Sequence, residues 1–355
     1  MADLDQLTVA THRYIRKDPA LVDSVFQQDP LLAFQRQNLK EDFAGGNRID
    51  EGFIYDGLTG GAYAKGKEFD ITEKQVEQSK QFTMKFYEVD ITMSKEDIQV
   101  LNKGPQAAFS LVKGRMQNAY LTIGAHIAIS QYLNGQRAGY TAMMNGLAEI
   151  CNDGTTTNWD ASAYTTYGTI TRGGSVGTAL NSVATNIAGA ISYNKLEETY
   201  GNASFGQVEP NLGVTTVLGF SYVKEKFQPQ QRFTTQDPKI GFRGLEFNNA
   251  RIIKSRYCPG SAISGTTDPI VTGFLKQSSL NVITAYPTLT SETFWWLNAT
   301  KPYLNLYVSD DAEYGFGFTG WKPAQGNTKV AGQVLAAVQM TGEPRYHRQL
   351  YGITG

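Results

Sequence analysis

Cysteine is nearly absent: the 355 residues hold two, Cys151 and Cys258. Two thiols make no disulfide framework, and no CxxC pair occurs, so both are expected to be inert and a reducing cytosol is the default compartment. Histidine is as scarce. His12, His126 and His347 lie far apart, and none belongs to an HExxH or Cys/His spacing, which leaves metal chemistry without a ligand set. No GxGxxG or Walker A run is present. The formal net charge is −1, with no basic block and no acidic tail, so sequence-reading of nucleic acid has no electrostatic footprint. Long uncharged apolar runs are missing too, and the leading MADLDQLTVATHRYIRKDPA has no apolar centre. The chain is expected neither to span a membrane nor to carry a signal peptide.

What is abundant is glycine, 36 residues, together with 12% aromatics, a composition that points to many turns and a large β share. The length suffices for two or three core-bearing subdomains. Residues 1–48 read as a loosely organised arm. Leu21, Val22, Val25 and Phe26 share one helical face, and a second short helix follows with Leu31, Leu32 and Phe34. Asp29 is placed to cap that helix, and Pro30 suits its first position. Residues 49–94 are punctuated by glycines and end in QFTMKFYEVDITMS, which alternates at strand period. Phe82, Met84 and Phe86 share one face. The apolar set then moves to Tyr87, Val89, Ile91 and Met93, which predicts a bulge or bend near Phe86-Tyr87. Such a ribbon is marginal alone and must lie on its own core or on another subunit.

KGPQAAFSLVKGRMQNAYLTIGAHIAISQYLNG, residues 103–135, reads as one helix roughly 45 Å long. Its spine is Ala108, Val112, Met116, Ala119, Ile123 and Ile127, widened by Leu111, Tyr120 and Leu133, with Lys113, Arg115, Gln117 and Asn118 opposite. A short helix is expected in YTAMMNGLAEICNDGT. Another helix is expected over 178–200, from Leu180, Val183, Ile187, Ile191 and Leu196. PNLGVTTVLGFSYVKEKF reads as strand then helix, and PQQRF (229–233) as an irregular link. From Phe242 the chain is mostly β, with RYCP strand-like, Trp295 and Trp296 on half-buried strands, and a polar break at Asn298–Pro302 between two strands. Helices and strands do not alternate as βαβ units, which argues against a doubly wound sheet.

One catalytic pattern matches. Gly173-Gly174-Ser175-Val176-Gly177 fits G-x-S-x-G between a strand-like TIT and a helical run, with Asp310 or Asp311 and then His347 downstream. A serine hydrolase using Ser175 is the alternative this supports. Against it stand the missing βα alternation and the lack of an HGGG-type loop. Asp310-Asp311 beside Glu313 lacks calcium-loop periodicity and reads as a solvated turn.

The order of segments (arm, glycine-punctuated ribbon, long helix, mixed body, no reaction centre) resembles tailed-bacteriophage major capsid proteins of the Hong Kong 97-type fold. The likeness covers nearly the whole chain. NGLAEICNDGT followed by TTYGTITR, then VEPNLGVTTVLGFSYVKEKFQPQQRF, then FWWLNATKPYLNLYV, taken as a late strand pair, are each similar to segments of that family. The resemblance implies an α+β fold. Its parts are an N-terminal arm (1–48), an extended loop (49–94) and a peripheral domain with the spine helix (95–169). An axial domain with intervening strands (170–327) and a return strand to the peripheral domain (328–355) complete it. It implies a shell subunit rather than an enzyme, with no cofactor and no metal. The partners implied are copies of itself in hexamers and pentamers, packaged double-stranded DNA held without sequence preference, a separate scaffolding protein, a portal and a decoration protein. No membrane is involved. The place implied is the virion capsid, assembled in the host cytoplasm. Phe26, Leu32, Phe34, Phe82, Met84 and Phe86 are the expected subunit contacts. Some members of the family join neighbours through a lysine–asparagine bond; Lys65, Lys67 and Lys80 lie in the loop, and nothing assigns one of them. Another ring- or tube-forming phage protein remains the structural alternative.

Overall fold

In the computed structural model the residues described are 9, 11, 29–68, 71–96, 105–136, 141–227, 245–261, 289–325 and 328–355. Leu21, Val22, Val25 and Phe26, His12, the 229–233 link and the side chains of Ala108 and Leu111 lie outside them. In chain order come α1 (Pro30–Asn38), β1 (Lys40–Phe43), β2 (Ile49–Ile54), β3 (Glu77–Phe82), β4 (Lys85–Ser94), α2 (Pro105–Ser130) and α3 (Leu147–Ile150). Next are β5 (Thr166–Tyr167), β6 (Ile170–Thr171), α4 (Gly174–Gly177), β7 (Ala184–Ala190), α5 (Tyr193–Ala203), β8 (Leu212–Thr215), α6 (Val217–Phe227), β9 (Leu245–Phe247) and β10 (Ala250–Lys254). The chain closes with β11 (Glu292–Leu297), β12 (Leu304–Ser309), β13 (Gly315–Phe318), β14 (Lys322–Ala324), β15 (Lys329–Gly342) and β16 (Arg348–Thr354).

Two six-stranded sheets organise these elements. In the first, β15 is the backbone. Strand β4 pairs antiparallel along one edge, from Lys329↔Ser94 to Val338↔Lys85, while β12, β13 and β14 succeed one another along the opposite edge. Strand β1 adds in parallel to β12. The period-2 pattern puts Val330, Val334, Ala336, Val338 and Met340 of β15 on one face with Ile91 and Met93 of β4. Helix α2 lies over that face, burying Val112, Met116, Tyr120, Ile123 and Ile127, and the Tyr120 hydroxyl donates to the Phe316 carbonyl at 2.9 Å. Its polar side is the expected one at Lys113, Gln117 and Asn118. From Ile123 to Leu133 nearly every residue is buried, so the polar side seen at Lys113, Gln117 and Asn118 does not continue, and the helix ends at Ser130.

The second sheet runs β7-β16-β11-β8-β10-β9. Strand β11 sits in its middle and is buried on both faces. Trp295 enters the core shared with α2, and Phe294 and Trp296 enter a second core with Leu196 and Tyr200 of α5 and Val223 of α6. The two tryptophans are therefore fully buried, not half-buried. Strand β8 followed by α6 is as the sequence predicts.

Several expectations are corrected. Residues 178–200 are not one helix. A single 3₁₀ turn at Thr178–Leu180 gives way to β7, and α5 starts anew at Tyr193. Local polar groups decide this: Asn186 Oδ1 accepts from Ala188 N at 3.0 Å, and Ser192 Oγ accepts from Lys195 N at 3.3 Å as a fresh N-cap. RYCP is a series of bends after β10, not a strand. The bend in the ribbon stretch falls at Thr83-Met84, between β3 and β4, not at Phe86-Tyr87. Strands β11 and β12 do not pair; the polar break sends them to different sheets. The last segment divides likewise, with β15 in the first sheet and β16 in the second.

Candidate assembly surface

Strands β2 and β3 form a separate antiparallel ribbon, Ile49↔Phe82 through Ile54↔Glu77. The ribbon has a buried root and an exposed tip. At the root, Lys80 is fully buried, and its ammonium lies 2.6 Å from Glu343 Oε1 and 3.4 Å from Glu51 Oε2, and donates to the Gly342 carbonyl at 3.1 Å. Glu51 accepts in addition from Asn305 Nδ2 and Tyr307 OH, both at 3.2 Å, and from the Thr341 hydroxyl. Burial, and then the Glu51 charge, push the Tyr307 phenol well above its ordinary range. A charge this deep is tolerated because the ammonium donates two hydrogen bonds and stands beside a second carboxylate.

A hairpin, β5–β6, grips the other side of the root. Gly168 at its turn has φ +55°, and a Cβ there would stand 2.7 Å from Lys80 Cβ and 3.0 Å from Phe82 Cζ. Only glycine lets this backbone approach so closely. Its carbonyl accepts from Gln81 N at 2.9 Å, and Phe82 packs edge-on against Tyr167 with ring centroids 5.2 Å apart.

Beyond the root the ribbon leaves the body. Tyr55 OH donates to the Gln75 carbonyl at 2.6 Å, and Lys74 pairs with Asp56 at 2.8 Å and reaches the Gly57 carbonyl at 3.1 Å. The Lys74 hydrogen bond, ahead of its charge, holds the Asp56 carboxyl below the usual range. Past this neck the described residues to Glu73 are exposed, the apolar Leu58 at 75%, Tyr63 at 65% and Ile71 at 94% among them. Phe86, on the outward face of β4, is 65% exposed and packs edge-to-face with Tyr314, ring centroids 5.5 Å apart.

The six expected contact residues therefore separate. Phe86 faces outward. Phe34 and Met84 are partly buried against the core, and Phe26 is outside the described residues. Leu32 at 0% and Phe82 at 3% exposure are instead buried in the chain's own core. For Leu32 the reason is the docking of α1. Asp29 caps it as expected, its Oδ2 accepting from Leu31 N at 3.1 Å and Leu32 N at 3.4 Å, and the same carboxylate bonds to Tyr132 and Ser255 of the body. For Phe82 it is the slot opened by Gly168. The exposed Leu58, Tyr63 and Ile71 were missed because no alternation marks them; their one signal was a set of bulky apolar residues among glycines.

No Ser–His–Asp relay forms. Ser175 is exposed on the four-residue α4, which follows a two-residue strand rather than a strand–turn–helix elbow. His347 is buried: Nδ1 accepts from Asn298 N at 3.2 Å, and the other ring nitrogen donates to the Tyr303 carbonyl at 2.9 Å. Neither nitrogen is free to take a proton from a serine. Burial holds this imidazole down to about 4. Asp311 spends its carboxylate on Glu313 N and Tyr314 N in a turn. Cys151 and Cys258 are buried, and burial pushes both thiols up, Cys151 to about 12. Among the described residues no helix is long and apolar enough to cross a membrane, and no cluster of three metal-ligating side chains occurs.

No protein-family model matches the sequence, and no curated protein does. Solved structures do. The chain is similar to the capsid asymmetric unit of cyanophage A-1(L), with 12% identity and a TM-score of 0.63, covering 92% of this chain and 93% of that one. It is similar to the capsid of a native GTA particle, with 10% identity, a TM-score of 0.55, and 91% and 90% covered. It is similar also to the SrpI encapsulin of Synechococcus elongatus PCC 7942, with 8% identity, a TM-score of 0.52, and 91% and 87% covered. At these identities the likeness is one of fold, and the fold is the Hong Kong 97 type of phage capsid proteins.

Proposed function

We propose that the chain is a major capsid protein, a subunit that assembles with copies of itself, in hexamers and pentamers, into an icosahedral shell around double-stranded DNA. The observation that carries this reading is the ribbon, rigidly rooted in its own chain yet ending in bulky apolar residues that its own chain leaves bare. A lone soluble globule gains nothing from Ile71 and Leu58 held out in water. A subunit gains the free energy of burying them, at about 25 cal/mol per Å² of apolar area, only when a neighbour covers them. Phe86, Met84 and Phe34 border the body faces that take part, and the fold neighbours, two capsids and an encapsulin, support the same reading. A separate scaffolding protein, a portal and a decoration protein complete the proposal, with the virion as destination and the host cytoplasm as the place of assembly.

The test is direct. The chain, expressed alone and with its neighbouring gene products, is expected to give closed shells by negative-stain microscopy, and shells from infected cells to hold nuclease-protected DNA. Rings or open tubes would overturn the capsid reading in favour of another phage structural component. Shells filled with protein and free of DNA would place the chain with the encapsulins.

A further inference from the structure

Two short connections carry the chain between its sheets: residues 298–303 lead from β11 to β12, and residues 343–347 lead from β15 to β16. They are stitched to each other. Glu343 N donates to the Tyr303 carbonyl at 2.9 Å, the Tyr303 and Tyr346 rings lie 4.5 Å apart, and His347 bridges Asn298 N and the Tyr303 carbonyl through its two ring nitrogens. The second connection also holds the ribbon. Glu343 and the Gly342 carbonyl bind Lys80 of β3, and Arg345 Nη2 donates to the Ile54 carbonyl of β2 at 3.1 Å. One six-residue stretch thus touches both sheets, the other connection and both ribbon strands.

We propose that residues 342–347 form a coupling joint in which the Lys80–Glu343 clamp ties the direction of the ribbon to the angle between the two sheets. Turning one sheet against the other moves the 343–347 connection, and the clamp swings the ribbon with it. Three features make the linkage stiff. The ammonium is buried and multiply bonded, the imidazole is buried with both nitrogens engaged, and the Tyr303–Tyr346 packing leaves no slack between the connections. The inference concerns a single chain and stands or falls independently of the shell reading.

Hydrogen exchange on the full-length chain tests it. His347→Gln keeps an amide able to reach the Tyr303 carbonyl and leaves Asn298 N without its acceptor. Its side chain bonds across the joint, not to the ribbon. It is expected to speed exchange in Ile49–Ile54 and Glu77–Phe82 at least about fivefold while Leu212–Thr215 and Ala250–Lys254 keep their rates. Lys80→Met is expected to speed the same ribbon amides, and the double variant to exchange no faster than Lys80→Met alone, because the signal passes through that clamp. Unchanged ribbon amides in His347→Gln overturn the proposal. So do multiplicative effects in the double variant, or equal acceleration in the two control strands. If Lys80→Met does not fold, Glu343→Gln takes its place in the same cycle.

Discussion

The carboxylate of Asp29 accepts a hydrogen bond from the hydroxyl of Ser255, 226 residues further along the chain. The same side chain caps α1 and meets Tyr132 at the end of α2, so one buried acid fastens the leading helix to two distant parts of the body. Burial pushes this carboxyl up to about 6, although Ser255, Leu32, Leu31 and Tyr132 all pull it down.

A pH dependence follows. The folded chain holds the Asp29 proton more tightly than the unfolded chain, whose carboxyl titrates near 3.8, so between 3.8 and about 6 the folded state binds more protons. Its contribution is full below that window and is lost as pH rises through it, by on the order of 3 kcal/mol. Denaturant midpoints of wild type and Asp29→Asn across the window should diverge by that amount; parallel curves contradict the assignment.

Phe82 and Phe86 should behave oppositely. Phe82→Ala opens a cavity beside Tyr167 and is expected to cost about 3–5 kcal/mol in chemical denaturation. Phe86→Asp should move stability by roughly 0.5 kcal/mol or less yet prevent particle formation in negative stain. Normal shells from a well-folded Phe86→Asp chain would remove Phe86 from the contact.

Lys80→Met removes the ammonium that faces the partly buried carboxylates of Glu51 and Glu343, and is expected to destabilise the fold by about 3–5 kcal/mol. Glu343→Gln leaves Glu51 to neutralise the ammonium and should cost clearly less. Equal losses by denaturant titration would mean that Glu51 does not share the charge.

Gly168→Val forces a branched side chain into the left-handed region, at about 1–2 kcal/mol for the backbone alone, and drives its Cβ into Lys80 and Phe82. A clear drop in Tm is expected, with early loss of protection at Gln81. An unchanged Tm would show that the hairpin does not grip the ribbon.

Local signals made part of this legible. The Asp29-Pro30 start, the long helix with its Val112–Ile127 spine, and the β8–α6 pair are written in caps and periods that act over a few residues. What escaped depended on partners far away in sequence. Ile187 and Ile191 fit a helical period, and only Asn186, Ser192 and the neighbour β16 make strand of that stretch. Alternation put Phe82 and Phe86 on one face. The break at Thr83-Met84, set by where β15 takes over from the ribbon, separates them. Lys80 gave no sign of burial, because its two carboxylates come from positions 51 and 343.

Among the described strands β4 pairs with β15 alone, with Ser94 opposite Lys329. A ribosome adding roughly 5–20 residues per second needs tens of seconds to travel that interval, and until it does the first sheet has no middle. Nascent chains must therefore wait with that layer open, and any polypeptide released early lacks the strand that shuts it. Release before β15 is made therefore leaves Ile91 and Met93 of β4 without the strand residues that stand opposite them.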